Sequence, residues 1–179
     1  MKKIVFSAMA CLTLAGSAFA GQEMARSSGK ESKAIAPEPC FRDHELQLDV
    51  FASYTSTQGG GYNDGFGGGI AVNYFFTRTI GFGLDGNVYD GDQHGVWDTT
   101  ARVIVRFPIE NGICIAPYLF AGAGVQADSD TNGSVHAGGG LEWRASHTIG
   151  IFTEGRYTIV EGDANNDGAQ ARLGVRFIF

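Results

Sequence analysis

From Glu45 onward, apolar and polar residues alternate along the chain, which is the pattern of β-strands with two different faces. In the first segment, Leu46 and Leu48 alternate with Gln47 and Asp49. The segments that share this alternation are 46–54, 66–76, 80–88, 97–107, 113–125, 135–144, 149–159 and 170–179. Segment 113–125 is rich in glycine, which leaves open which of its faces is apolar. The pattern predicts eight strands.

Short and long connections alternate between these segments. The short connections are 77–78, 108–112 and 145–148. The others are mostly longer and rich in Gly, Asn and Asp, at 56–65, 90–96, 128–134 and 160–168. Short turns on one side and longer loops on the other are typical of transmembrane barrels. We therefore predict an all-β fold, an eight-stranded antiparallel transmembrane up-and-down β-barrel, over residues 45–179.

A soluble barrel of the lipocalin kind would alternate in the same way, so alternation alone does not decide the environment. Aromatic residues stand at both ends of one apolar face, with Phe66 and Phe76, and Trp97 and Phe107, each ten residues apart. Ten residues of a tilted strand rise about 25 Å, which is the height of a lipid-facing band with two aromatic girdles. This spacing favours a membrane barrel and leaves a soluble ligand-binding barrel as an alternative.

The polar face holds mainly glycine, arginine and carboxylates, and all four lysines of the chain precede residue 40. An eight-stranded interior is narrow and has to be filled by side chains. We expect a network of paired charges that plugs the lumen, formed by Asp49, Asp85, Arg102, Arg106, Glu142, Arg144, Glu154, Arg156, Arg172 and Arg176. Strand order favours the pairs Asp85–Arg102, Glu154–Arg172 and Asp49–Arg176, although strand stagger cannot be read from sequence.

The N-terminal region has the features of an exported precursor. Residues 1–20 are typical of a signal peptide, with Lys2 and Lys3 before a short apolar run and an Ala18-Phe19-Ala20 cleavage site. Residues 21–44 contain few large apolar groups, and we expect a disordered periplasmic lead-in there. No other segment has the roughly 20 apolar residues of a transmembrane helix.

Two cysteines remain after removal of the signal peptide, Cys40 before the first strand and Cys114 before the fifth. In an oxidising compartment they predict a disulfide that ties the lead-in to the base of the barrel. Two free thiols are the alternative.

The chain ends on Phe179, with Phe177 two positions before it, and this ending resembles the last strand of bacterial outer-membrane proteins. The segments Tyr74-Phe75-Phe76-Thr77-Arg78 and Pro117-Tyr118-Leu119-Phe120 are also similar to parts of the outer-membrane protein A-like and opacity-like barrels. The resemblance implies a location in the cell outer membrane and a C-terminal assembly signal, Phe177 and Phe179, that is read by the barrel-assembly machinery. We expect no peptidoglycan-binding domain after the eighth strand, and we do not carry that activity of the family over.

Candidate catalytic and metal-binding residues are few. Ser134 and His136 share a strand face and His94 lies in a loop, but no third residue that could orient the histidine is identifiable. Two loops that begin at Asp128 and Asp163 start like calcium loops but have glycine at the twelfth position. We expect no enzyme activity, metal or cofactor.

The predicted long loops carry acids and no lysine or arginine, namely Asp64, Asp90, Asp92, Asp128, Asp130, Glu161, Asp163 and Asp167. These acids either serve solubility or contact lipopolysaccharide through bridging cations. Outer-membrane lipid and lipopolysaccharide are therefore the expected partners, whereas a net charge of −6 argues against nucleic acid. We expect a monomer.

The favoured function is a non-enzymatic outer-membrane barrel that supports membrane integrity or surface interaction. A small-solute pore, a lipid-modifying enzyme and a soluble ligand-binding barrel are the alternatives.

Overall fold

The computed structural model describes residues 39–57, 65–90, 95–127, 131–161 and 167–179. The strands are β1 (Glu45–Thr57), β2 (Gly65–Phe75), β3 (Ile80–Asp90), β4 (Gly95–Arg106), β5 (Ile115–Ala127), β6 (Thr131–Arg144), β7 (Ile149–Val160) and β8 (Gly168–Ile178). Each strand pairs with the next in antiparallel fashion and β8 pairs with β1, which closes the barrel. The predicted eight-stranded antiparallel barrel is confirmed.

Where β1 pairs with β8 to close the barrel, side chains that point in the same direction lie opposite each other. Val50 lies opposite Ile70 of β2 and Val175 of β8, so three apolar side chains adjoin on the outer surface. Asp49 lies opposite Arg176 in the same β1–β8 pair, and both side chains point inward. Because side chains alternate with a period of two, this register places Val50 with its apolar partners outside and Asp49 with Arg176 inside.

The outer surface is apolar around the whole barrel. Large apolar side chains on all eight strands are exposed, from Leu48 at 36% to Phe66 at 77%. The exposed aromatic residues gather at the two ends of the strands, with Tyr54, Phe66, Trp97 and Tyr157 at one end and Phe76, Phe107, Trp143, Phe177 and Phe179 at the other. No helix in the described part of the chain has the length and apolarity to span a bilayer. This apolar outer face is the reverse of a soluble barrel, whose apolar face points inward.

Strand β5, whose facing the sequence left open, follows the same rule. Ala116, Tyr118 and Phe120 are buried in the lumen, and Leu119 and Val125 point outward. The inward aromatics fit because the partner positions on β6 are glycines, Gly140 opposite Tyr118 and Gly138 opposite Phe120.

The predicted contrast between short and long connections is only partly found. We call the end with connections 76–79, 107–114 and 145–148 the base, and the opposite end the rim. The base connection 107–114 spans eight residues, whereas the rim connections 91–94 and 128–130 span four and three. Pro108 has no N–H for the ladder, so regular pairing stops there apart from a bridge between Ile109 and Ile115. At the rim, pairing continues into the polar sequence as far as Ala127 and Thr131.

The barrel unit begins before residue 45. Residues 39–44, which the sequence analysis assigns to the lead-in, belong to the barrel unit, and Phe41 is fully buried. A single apolar residue, Phe41, in an otherwise polar segment was not enough to predict that residues 39–44 belong to the barrel. The predicted signal peptide and the lead-in up to residue 38 lie outside the described residues.

Candidate functional site

The lumen contains a balanced set of buried charges. In the described residues, six buried carboxylates face six buried arginines, and the set comprises Glu45, Asp49, Asp85, Asp98, Glu142, Glu154, Arg102, Arg106, Arg144, Arg156, Arg172 and Arg176. Sequence analysis found ten of these twelve. Glu45 and Asp98 were missed, although both share the alternation phase of predicted lumen residues on their strands, Asp49 and Arg102.

At the base, Glu45 is the centre of a charged cluster. Its Oε1 accepts hydrogen bonds from Arg106 Nη1 at 2.8 Å and from Arg144 Nη2 at 2.6 Å. Gln47 Nε2 donates to the same oxygen at 2.6 Å. Arg144 also pairs with Glu142, which carries the network towards the middle of the lumen. Hydrogen-bonded charges of this kind can stay ionised away from water.

In the middle of the lumen, Arg176 makes a bidentate contact with Asp49. Its Nε and Nη2 each donate to one carboxylate oxygen of Asp49 at 2.7 Å, and its Nη1 donates to Glu142 at 2.5 Å. Asn73 Nδ2 donates to Asp49 at 2.8 Å. The base cluster and the middle are therefore joined through Glu142, because it contacts both Arg144 and Arg176.

In the half of the lumen nearer the rim, Asp85 and Glu154 both pair with the same two arginines. Arg172 lies 2.9 Å from Asp85 and 3.4 Å from Glu154. Arg102 lies 2.8 Å from Glu154 and 3.9 Å from Asp85. Tyr118 donates its hydroxyl hydrogen to Glu154 at 3.1 Å. The three pairs suggested by strand order, Asp85–Arg102, Glu154–Arg172 and Asp49–Arg176, are all in contact in the structure.

Aromatic rings fill the space between the charges. Phe75 lies 3.7 Å from the Arg106 guanidinium carbon, Phe51 4.5 Å from that of Arg172, and Phe152 4.7 Å from that of Arg176. A cation over a ring face gains about 2 kcal/mol or more when both groups are desolvated. The rings therefore close the gaps and also stabilise the guanidinium groups.

Near the rim, Arg156 pairs with Asp98 beside a small cavity. The cavity holds about 20 Å³ and is lined by Thr55, Tyr89, Asp98, Gln126, Arg156, Thr158, Gly168 and Gln170. A volume of this size holds about one water molecule.

Several bacterial outer-membrane barrels of known structure are similar to this chain in fold. The N-terminal barrel domain of Pseudomonas aeruginosa OprF has a TM-score of 0.63 at 18% identity, and the alignment covers 76% of this chain and 98% of that one. Neisserial surface protein A has a TM-score of 0.61 at 20% identity, covering 75% of this chain and 96% of that one. Ail, the attachment invasion locus protein of Yersinia pestis, has a TM-score of 0.53 at 13% identity, covering 76% and 99%.

The chain has the fold of the small bacterial outer-membrane barrels. No protein-family model and no curated protein matches the sequence. A closed barrel with an apolar outer belt requires lipid around it, and the outer membrane is the location that this fold and this belt fit.

The last strand of this outer-membrane barrel places its terminal aromatics towards lipid. Phe177 and Phe179 are both exposed on the outer face at the base. Phe179 donates its backbone N–H to the carbonyl of Leu46 at 2.9 Å, so the end of the chain takes part in the seam between β8 and β1.

The candidate catalytic pair of the outer-membrane barrel does not form a relay in the structure. Ser134 and His136 both point into the upper lumen and are buried, but neither the hydroxyl nor the ring nitrogens have a hydrogen-bond partner in the described part of the chain. His94 lies outside the described residues. Within the described ranges, no group of three or more His, Cys, Asp or Glu side chains is arranged to hold a metal ion.

Only some residues of the predicted calcium-like and acidic loops are among the described residues. Asp64, Asp92, Asp128, Asp130 and Asp163 lie outside the described residues. Asp90, Glu161 and Asp167 are described, and all three lie at the rim.

A disulfide bond joins Cys40 to Cys114, which are 74 residues apart in sequence and 5.8 Å apart between Cα atoms. Cys40 precedes β1 and Cys114 precedes β5, on opposite sides of the barrel. The segment between Cys40 and Glu45 therefore crosses beneath the lumen.

Proposed function

We propose that this outer-membrane barrel is a non-enzymatic protein with a closed lumen that supports the integrity of the outer membrane or surface interaction. One observation carries the proposal. Buried ion pairs follow one another from Glu45 at the base, through Arg176 in the middle, to Asp98 near the rim.

The size of the barrel supports a closed interior. Eight strands leave an interior just wide enough for side chains. Among the described residues, that interior holds twelve charged side chains together with buried rings such as Phe51, Phe75 and Phe120. A solute that passed would have to separate ion pairs such as Asp49–Arg176, which is costly because each separated charge stays buried.

A role at the cell surface is supported by the rim. Asp90 and Glu161 are exposed there, and their carboxylates suit contact with lipopolysaccharide phosphates through bridging divalent cations. Two proteins of the same fold are named as a surface protein and as an attachment invasion locus protein. In this proposal the partners are outer-membrane lipid and lipopolysaccharide, and the barrel works as a monomer.

Assembly is the second part of the proposal. Phe177 and Phe179, exposed at the closing seam, act as the signal that the barrel-assembly machinery reads during insertion. Residues 1–20 serve as the signal peptide for export, and residues 21–38 as the periplasmic lead-in.

Single-channel recording in planar lipid bilayers tests the closed lumen. We expect small or absent conductance for the wild-type barrel and a leak for Asp85→Ala, because this change removes one of the two buried carboxylates that Arg172 and Arg102 share and leaves Glu154 alone to balance both charges. The matched control is Asp90→Ala, an exposed acid on the same strand, which should leave conductance unchanged.

Two outcomes would contradict the proposal. Stable ohmic conductance of the wild type that Asp85→Ala does not alter would favour the small-solute pore. A mass shift of lipid A in cells that express the protein would favour a lipid-modifying enzyme.

A further inference from the structure

The base of the lumen is closed by a segment that lies outside the strands. We define the cap as residues 40–44. Its Phe41 is completely buried, and the ring lies between two guanidinium groups, with ring-centroid distances of 5.0 Å to Arg106 Cζ and 4.6 Å to Arg144 Cζ. Phe41 therefore covers the arginines that bind Glu45.

The cap is held by hydrogen bonds that involve side chains. Arg42 N–H donates to Glu45 Oε2 at 3.3 Å, and His44 Nδ1 lies 3.1 Å from the Tyr74 hydroxyl. Phe41 N–H donates to Glu110 Oε1 at 3.2 Å, and the Arg42 carbonyl accepts from Arg106 Nη2 at 3.2 Å. Asp43 accepts from the backbone N–H of Arg78 at 2.7 Å. None of these bonds belongs to the strand ladder, so the cap can leave without breaking the barrel.

The cap is fixed at both ends by different means. Its downstream end continues into β1 through His44, which has a positive φ of 55° and forms the turn. Its upstream end is fixed by the Cys40–Cys114 disulfide. A segment held at both ends cannot swing away from the lumen, whereas one held only at His44 can rotate outward about that turn.

The disulfide is accessible from outside the lumen. Both cysteines are half-buried, and a cavity of about 180 Å³ lies against them, lined also by Arg144, Ala145, Ser146 and His147 at the base; the Arg144 side chain is nevertheless only 2% exposed. An external thiolate can approach the bond from this side, as thiol–disulfide exchange requires.

We propose that the Cys40–Cys114 disulfide is a redox latch that holds Phe41 over the base of the lumen, and that its reduction by an external dithiol uncovers Arg106 and Arg144. In this step the S–S bond breaks and each sulfur becomes a thiol. The two electrons and two protons come from the dithiol, which is oxidised to its own disulfide. The Arg176–Asp49 layer above stays in place, so the latch controls access to the base and not passage through the barrel.

Arginine modification by 2,3-butanedione, located by mass spectrometry on the folded protein in detergent, tests the latch. Arg78, whose side chain is 45% exposed, should react in both redox states, and Arg102 in neither. Arg106 and Arg144 should be protected in the oxidised protein. After reduction and alkylation their modification rate should rise by about tenfold or more, because reactivity follows the population of the open state.

Two variants distinguish a redox latch from a disulfide that has only a structural role. Cys40→Ser with Cys114→Ser should react like the reduced protein, and Phe41→Ala should expose Arg106 and Arg144 while the disulfide remains intact. Heat-dependent gel mobility confirms that each variant is folded.

The latch is wrong if Arg106 and Arg144 stay protected after reduction, or if both cysteines of the wild type react with iodoacetamide without reduction. Neither result depends on conductance. A failure of the latch and a failure of the closed-lumen proposal are therefore distinguishable.

Discussion

At the scale of single residues, the same type of ion pair occurs in two different environments. Arg176 and Asp49 are buried in the lumen and joined by two hydrogen bonds of 2.7 Å. Arg78 and Glu110 form a pair of the same length, 2.7 Å, in which the side chains are 45% and 26% exposed. Length alone would rank the two contacts as equal, but the desolvation of the charges makes their consequences differ.

We predict that Arg176→Met lowers the free energy of unfolding by about 3–5 kcal/mol, because Asp49 keeps a buried charge without its arginine and Glu142 loses one of its two arginine partners. The matched variant Arg78→Met should cost about 0–1 kcal/mol, since its partner Glu110 is solvated. Urea unfolding of both variants in lipid vesicles gives the comparison. Equal losses for the two variants would mean that the lumen is hydrated and its charges only loosely paired.

Residue by residue, sequence predicted the members of the lumen network better than their contacts. Alternation assigned Asp85 and Arg172 to the same face correctly, but their contact of 2.9 Å depends on strand stagger, which the alternation does not contain. Glu45 was missed although it shares the alternation phase of Asp49, because the first alternating segment was taken to begin at residue 46.

At the scale of strands, glycine and aromatic positions are matched across the β5–β6 pair. Tyr118 lies opposite Gly140, and Phe120 lies opposite Gly138. A Cβ atom at Gly140 would lie 2.4 Å from the Thr153 carbonyl oxygen and 2.5 Å from the Tyr118 ring. One at Gly138 would lie 2.2 Å from the Gly155 carbonyl oxygen and 2.6 Å from the Phe120 ring. These two glycines are therefore a packing requirement of a narrow lumen.

We predict that Gly140→Ala destabilises the barrel by about 1–3 kcal/mol, because the added methyl group displaces Tyr118 from its hydrogen bond with Glu154. The control is Gly155→Ala on the neighbouring strand β7, where a Cβ atom would meet nothing within 4 Å. Unfolding of both variants in vesicles, followed by tyrosine and tryptophan fluorescence, measures the difference. If Gly155→Ala lost as much free energy of unfolding as Gly140→Ala, the effect would come from the backbone conformation of glycine and not from the space that Gly140 leaves in the lumen.

Sequence predicted the strands well and their ends poorly. Strand positions follow from a period of two that is repeated over ten or more residues, whereas strand ends depend on one or two backbone hydrogen bonds. Asn132 and Gly133 have turn chemistry, yet both lie in β6 because their partners on β5 continue the ladder. Phe41 was missed for a related reason, since a single apolar residue in a polar segment has no periodicity.

At the scale of the whole molecule, the barrel is apolar outside and charged inside. Leu173 in the middle of β8 is 63% exposed, while its neighbours Arg172 and Gly174 face inward with little exposure. In water, such a surface would associate through its apolar belt. In lipid it is the favourable arrangement, because every strand has two hydrogen-bonded neighbours and no edge is left open.

We predict that the mature protein requires detergent and migrates faster on a denaturing gel when it is not boiled. A closed barrel without edges has no strand from which detergent can begin unfolding, so it stays compact until heated. The mobility of boiled and unboiled samples, with and without detergent during purification, measures this. A protein that stays monodisperse in plain buffer would contradict the membrane assignment and favour the soluble barrel.

A substitution on the outer face tests whether the contact of this face with lipid determines the heat-dependent gel mobility. Leu173→Arg places a charge at mid-strand on the lipid side, where the cost of arginine near the bilayer midplane is about 2–4 kcal/mol. The same change on a water-exposed surface would alter stability by about 0.5 kcal/mol or less. We therefore expect Leu173→Arg to lower the temperature at which the fast-migrating form disappears, while Asp90→Ala at the rim leaves that temperature unchanged.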